Sequence, residues 1–249
     1  MEEETPLLPS RPQITSLPGV KELLKKAWEI YKDRLGVILG INLIQILVMF
    51  AGIILFTVLG TVSVLLAKIS PIFLLVTIAI VVIFFIAIIF SSIWGVIAIL
   101  CVIKERDGKI GIKESFKMTK DKVFPYCWIA FLKGLVVTLG FLLLIIPGIV
   151  FGIWYGFSEY VFISEGLKGQ KALSRSKQLV KGYWWGVFGR ELVIGLIAMI
   201  VMMVFGFMVK FSKTPFIESI FSCLVSGFVL TCDVVIYESL KKLKEVQIQ

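Results

Sequence analysis

The sequence predicts an all-α polytopic membrane protein: six transmembrane helices in three units, each a basic amphipathic interfacial helix followed by two spanning helices. Three observations carry that prediction. Of 249 residues, 58% are hydrophobic and 17% charged. The mean hydropathy of +0.97 is far above that of a water-soluble domain. Apolar runs long enough to cross a bilayer recur along the chain, separated by connections that are alternately rich and poor in Lys and Arg. Continuous apolar sequence occupies most of the length, which leaves no room for a separate soluble catalytic domain.

Residues 1–19 hold three acidic residues and four prolines ahead of any apolar run. A signal peptide has the opposite order, a basic start and an apolar core, so this segment reads as a flexible cytoplasmic tail. Glu3 with Leu7 and Leu8 also fits an acidic dileucine sorting pattern. The remainder, 20–249, is the six-helix membrane domain.

A helix needs about 20 apolar residues to cross the hydrocarbon core. The runs at about 36–60, 71–100, 124–147, 148–164, 183–209 and 215–238 meet or approach that requirement. The second is long enough to tilt or to project. The third and fourth meet at Pro147-Gly148, which reads as a tight turn between two spans, with a re-entrant pair as the alternative.

Twenty-one of the 26 Lys and Arg residues fall in the tail and alternate connections, on one side of the membrane. The opposite connections carry only Lys68, Lys210 and Lys213, and Lys133 and Arg190 lie within spans. By the positive-inside rule both termini are cytoplasmic, and the plasma membrane, as a bacterial-type inner membrane, is the expected location. The net charge of +9 thus sets topology and gives no reason to expect nucleic acid.

A basic stretch with helical periodicity precedes the first, third and fifth spans. Its apolar face is Leu23, Leu24, Ala27, Ile30 and Tyr31 in the first copy; Ile112, Phe116, Thr119 and Val123 in the second; and Ala172, Leu173, Ser176, Leu179 and Val180 in the third. Such helices are expected in the inner interface against anionic lipid headgroups, anchored by Trp28, Tyr126, Trp184 and Trp185. Lipids are therefore the first expected partners, with a protein partner or a second copy of the chain as alternatives.

The chain contains no histidine, the usual general base near neutral pH and the commonest metal ligand. Cys101, Cys127, Cys223 and Cys232 form no Cys-x-x-Cys pair. Neither a metal site nor a disulfide framework is expected, nor a cofactor, nor enzymatic activity.

The most informative pattern is a set of polar residues where they are costly. Counting inward at 1.5 Å per residue, Lys133, Glu159, Arg190, Glu191 and Asp233 share a depth of roughly 8–14 Å, with Asn42 and Gln45 in the same layer. They could line a cytoplasm-facing cavity, with Lys133 and Arg190 binding an anionic group and the carboxylates as counter-ions or proton carriers. Alternatively they pair as interhelical glue while the cations snorkel to the interface. Gly148, Gly152 and Gly156 recur at four-residue intervals, a face on which another helix could approach closely.

The stretch from Ile145 to Gly189 resembles the YciC-like family of bacterial and archaeal membrane proteins, related to the membrane domain of some glycerophosphoryl diester phosphodiesterases. The matching residues are Pro147, Gly148, Trp154, Glu165, Ala172-Leu173 and Arg175-Ser176, then Lys181-Gly182 before Tyr183-Trp184. The resemblance implies a six-span membrane domain and, for most members, no assigned biochemical activity. Phosphodiesterase activity, where present, belongs to a fused soluble barrel using histidine and acidic metal ligands, so it is not carried over. The function expected is therefore a non-catalytic membrane module in envelope or lipid-related physiology. The alternative is a small transporter or channel with its charged site in the inner leaflet.

Overall fold

A computed structural model of the chain describes residues 16–246 other than 69, 71, 106, 107, 109 and 211–214. Most of the tail, including Glu3, Leu7 and Leu8, lies outside the described residues. The described chain is all-helical, without a strand, and six of its helical stretches are long and apolar enough to cross a membrane. The protein is therefore a multi-pass membrane protein.

The first two spans form one long hairpin. α1 runs unbroken from Val20 to Ala67, 48 residues or about 72 Å, and α2 from Ile72 to Lys104. Ring stacking of Phe56 on Phe84, with centroids 4.7 Å apart, closes the distal part of this hairpin. Its proximal part is held by Gln45, whose Nε2 donates to the Ser91 carbonyl at 2.7 Å. Between them the two helices present Leu43 through Phe90 largely outward, the surface a bilayer would cover.

The expectation of a separate interfacial helix before the first span is corrected here. The basic segment and the span are one helix, because no residue between Tyr31 and the span interrupts it; Gly36 sits in open space and stays helical. The two later copies are separate. α3 (Ile112–Thr119) is divided by a single 3-10 turn at Lys120–Lys122 from α4 (Val123–Leu143). α7 (Gln170–Val180) is divided from α8 (Trp184–Lys210) by a turn in which Gly182 has φ +93°, a conformation open to glycine but strained for other residues.

The amphipathic faces are also used differently from the expectation that they lie against headgroups. Leu23, Ala27 and Tyr31 of α1, Thr119 and Val123 of the second copy, and Ala172, Leu173, Ser176, Leu179 and Val180 of α7 are buried in the protein's own core. Their lysines remain outside; Lys117, Lys120, Lys177 and Lys181 are all exposed.

The predicted turn at Pro147-Gly148 falls three residues early. Leu144 alone is extended (φ −166°, ψ 155°), and α5 (Ile145–Tyr155) begins at once, with Pro147 in its first turn where a missing N–H costs nothing. The hairpin is tight: a Cβ on Gly140 would stand 3.0 Å from the Gly148 Cα. This span is not continuous, because it breaks at Gly156-Phe157 and resumes as α6 (Ser158–Glu165). The last helix, α9 (Pro215–Val246), runs eight residues beyond the predicted end at Glu238, because Leu240 and Leu243 continue its buried stripe.

The basic segments meet at one end of the bundle. Arg34 donates to the Gly108 carbonyl at 2.8 Å and Lys104 to the Ile163 carbonyl at 2.9 Å. Tyr31 donates to the Leu224 carbonyl at 3.0 Å, fixing α1 to α9, and Gly227 leaves the room that its ring fills.

Candidate functional site

At the basic end, Glu165 terminates α6 and collects donors from two other elements. Arg175 Nε of α7 lies 3.1 Å from Oε2. Tyr237 OH of α9 donates to Oε1 at 2.9 Å, and Lys241 Nζ stands 3.8 Å from the same oxygen. Beside this junction Ser176 Oγ donates to the Trp154 carbonyl at 2.8 Å, and Lys177 lies 4.4 Å above the Trp154 ring centroid. Ala172 and Leu173 are buried beneath. Glu165, Arg175, Ser176 and Trp154 thus lock the amphipathic helix onto the fourth span, and Tyr237 ties that joint to the sixth.

One turn deeper the predicted polar layer divides. Lys133 of α4 and Glu159 of α6 form an ion pair at 2.8 Å, with side chains 27% and 14% exposed. Tyr160, the next residue, donates to Asp233 Oδ2 at 2.9 Å. The other carboxylate oxygen, Oδ1, is enclosed and has no hydrogen-bond partner. Asp233 shares a cavity of about 160 Å³ with Glu191 of α8, and the two are near enough to feel each other's charge. No hydrogen bond or ion pair is made by Glu191 among the described residues.

Arg190 does not take the role the layer assigned it. Its guanidinium donates to the carbonyls of Pro18 (2.9 Å), Leu17 (3.0 Å) and Gly186 (2.7 Å) and meets no carboxylate among the described residues. The planar five-donor fork suits this use, and it straps the segment before α1 onto α8. Lys133 is likewise occupied by Glu159, so neither cation is available to bind an anionic group in the cavity.

Asn42 and Gln45 also lie apart from the acidic cavity. Gln45 lines a second cavity of about 510 Å³ that reaches Glu218 and Cys223 of α9, while the Asn42 side-chain nitrogen is enclosed without a partner. The glycine stripe is corrected as well. Only Gly148 meets a close neighbour, with an added Cβ falling on the Phe141 ring. An added Cβ on Gly152 meets nothing within 4 Å, and one on Gly156 only carbonyl oxygens of the turn before it. Both line the acidic cavity instead, across from Val187 and Glu191 of α8 and Asp233 of α9.

Sequence reasoning missed the tyrosines. Tyr160 and Tyr237 stack with centroids 6.4 Å apart and each serves a different carboxylate. The signal was present in the spacing, since Tyr237 follows Asp233 by one helical turn and Tyr160 follows Glu159 directly. Among the described residues, no three of His, Cys, Asp and Glu come together as a metal site would require.

No protein-family model, curated protein or solved structure matches this chain.

Proposed function

We propose that this protein is a non-catalytic plasma-membrane module, both termini cytoplasmic, that engages anionic lipid headgroups through the basic end of its bundle. It belongs with YciC-like membrane proteins in envelope or lipid-related physiology. The observation that supports this reading is the arrangement of α3 and α7. Their apolar faces are consumed by the protein core, so the helices are fixed platforms and not free membrane anchors. The lysines they present, Lys117 and Lys120 on one and Lys177 and Lys181 on the other, stand exposed where spans begin. Each basic residue near an anionic surface contributes about 1 kcal/mol of attraction.

The test is mass spectrometry of lipids retained by the protein in native membrane discs, with wild type compared to a variant reversing those four lysines to glutamate. Anionic lipids enriched over neutral ones in wild type, and lost in a variant that still melts cooperatively, is the expected result. Equal retention of neutral and anionic lipids by wild type overturns the proposal. A second reading, a small transporter or channel, is favoured by one observation, the cavity holding Glu191 and Asp233 beside a broken span. Irregular backbone at membrane depth is tolerated only where protein buries it or where it lines a cavity.

A further inference from the structure

A lateral groove opens between α1 and the last hairpin. α1 and α8 both pack on α9 yet hardly meet each other, and the space left between them is an open cavity of about 380 Å³. Its lining is aliphatic and aromatic throughout, from Leu24, Trp28, Tyr31 and Leu35 of α1 to Val201 of α8 and Phe228 of α9. The Tyr31 hydroxyl is already bonded to the Leu224 carbonyl, so it asks for no polar guest. Trp28 stands 55% exposed, its ring centroid 6.0 Å from that of Phe228. An exposed indole beside an apolar slot suits the level of the lipid headgroups.

The charges beside the groove are sorted. At 3.6 residues per turn, Lys21, Lys25 and Lys32 fall within about 40° of one another around α1, along the edge that Trp28 occupies. All three are exposed, and none makes a hydrogen bond or an ion pair among the described residues. Glu22, Glu29 and Asp33 form a separate stripe further round the helix, beyond the lysines from the groove. An apolar slot thus runs beside a row of unpaired cations.

We propose that this groove holds an acyl chain of one anionic phospholipid, whose phosphate lies on the rim formed by Lys21, Lys25 and Lys32. From Leu24 to Leu35 the groove follows α1 for about 16 Å, close to one leaflet's half of a hydrocarbon core of about 30 Å. Its volume is more than twice the roughly 150 Å³ in which an engineered apolar cavity holds a benzene ring. A second copy of the chain seated here by two-fold symmetry would set lysines against lysines, whereas a phosphate diester supplies the counter-charge that the rim lacks. The assignment rests on the affinity for anionic lipid proposed above, but on separate lysines. It adds one lipid per chain that reversing the lysines of α3 and α7 leaves in place.

The test uses the full chain in nanodiscs doped with a phospholipid carrying a diazirine on its acyl chain, phosphatidylglycerol in one sample and phosphatidylcholine in another. After photolysis, peptide mass spectrometry counts adducts at 24–35, 194–201 and 221–229, divided by those at 78–86 of α2, an exposed apolar stretch away from the groove. The ratio is expected to be about tenfold higher for phosphatidylglycerol. The triple variant Lys21→Gln, Lys25→Gln, Lys32→Gln removes that preference. Ala198→Phe, which fills the groove from α8 without changing charge, lowers the ratio for both lipids. Thermal unfolding verifies that each variant folds, and the glutamine variant suffices alone because it alters only exposed side chains. Equal ratios for the two lipids in wild type overturn the proposal, and so does a preference that survives in the glutamine variant. A groove that yields adducts with neither lipid overturns it as well, as a protein segment filling the slot would produce. Reversing Lys117, Lys120, Lys177 and Lys181 leaves the groove ratio at its wild-type value, which separates failure here from failure of the platform reading; a fall there overturns the assignment to this rim.

Discussion

Glu165 of α6 accepts from Tyr237 of α9, Asp233 of α9 accepts from Tyr160 of α6, and the two tyrosines stack on one another. Glu165 receives hydrogen bonds from Arg175 of α7 and Tyr237 of α9, and Lys241 of α9 adds an ion pair at 3.8 Å. Asp233 receives one donor, keeps an enclosed oxygen without a partner, and faces Glu191 across a cavity. The contrast separates two uses of a carboxylate in a membrane protein. Where donors saturate it, the group is a joint between helices. Where they do not, the group adds little to the joint and leaves an oxygen underbonded.

The largest effect is expected at the saturated centre. Glu165→Ala removes the common acceptor of Arg175 and Tyr237, whose bonds to a charged group contribute most; the pair with Lys241, at 3.8 Å and 32% exposed on the lysine, adds little. A loss of about 2–3 kcal/mol is expected, read as a fall in the thermal unfolding midpoint in nanodiscs. Asp233→Asn under the same conditions is expected to change the midpoint far less. Equal losses at the two positions would erase the distinction between them.

Next in size is Arg190→Ala, which frees the carbonyls of Leu17 and Pro18. A loss of about 1–2 kcal/mol is expected, together with faster proteolysis of the segment before α1. The double variant with Glu191→Gln sharpens the comparison, because Arg190 is adjacent in sequence yet bound elsewhere. The two changes should add to within about 0.5 kcal/mol. A larger coupling would show that Arg190 neutralises Glu191 after all.

The number and order of the spans was legible because apolar run length is a one-dimensional property, and so was the depth shared by Lys133, Glu159 and Asp233. Pairing within that depth was not, because it depends on which helices are neighbours. Arg190 illustrates this: its depth predicted an ion partner, but the chain segment at Leu17-Pro18 returns to α8 and captures it first. The glycine stripe failed for a related reason. A four-residue period marks a smooth face, and whether a neighbour packs closely on it or leaves a cavity depends on which side chains the adjacent spans bring there. The unbroken α1 also escaped notice, since a basic amphipathic segment reads the same whether or not a turn follows it.

Tyr237→Phe is a smaller and cleaner probe of the saturated centre. It deletes one hydroxyl while Arg175 and Lys241 remain on Glu165. The expected loss is about 1 kcal/mol. The thermal unfolding midpoint in nanodiscs reads it, and a loss equal to that of Glu165→Ala would leave the Arg175 bond no share in the joint.

The smallest effect is expected at Glu191→Gln, and its sign is the informative part. Glu191 has no bonded partner among the described residues, so the substitution breaks no contact. It removes a charge that opposes the one on Asp233 and replaces a desolvated carboxylate with a neutral group of nearly equal shape. The midpoint should hold within about 0.5 kcal/mol or rise. A loss above about 1 kcal/mol would instead place Glu191 among the structural carboxylates with Glu165, as a group whose charge the fold itself requires.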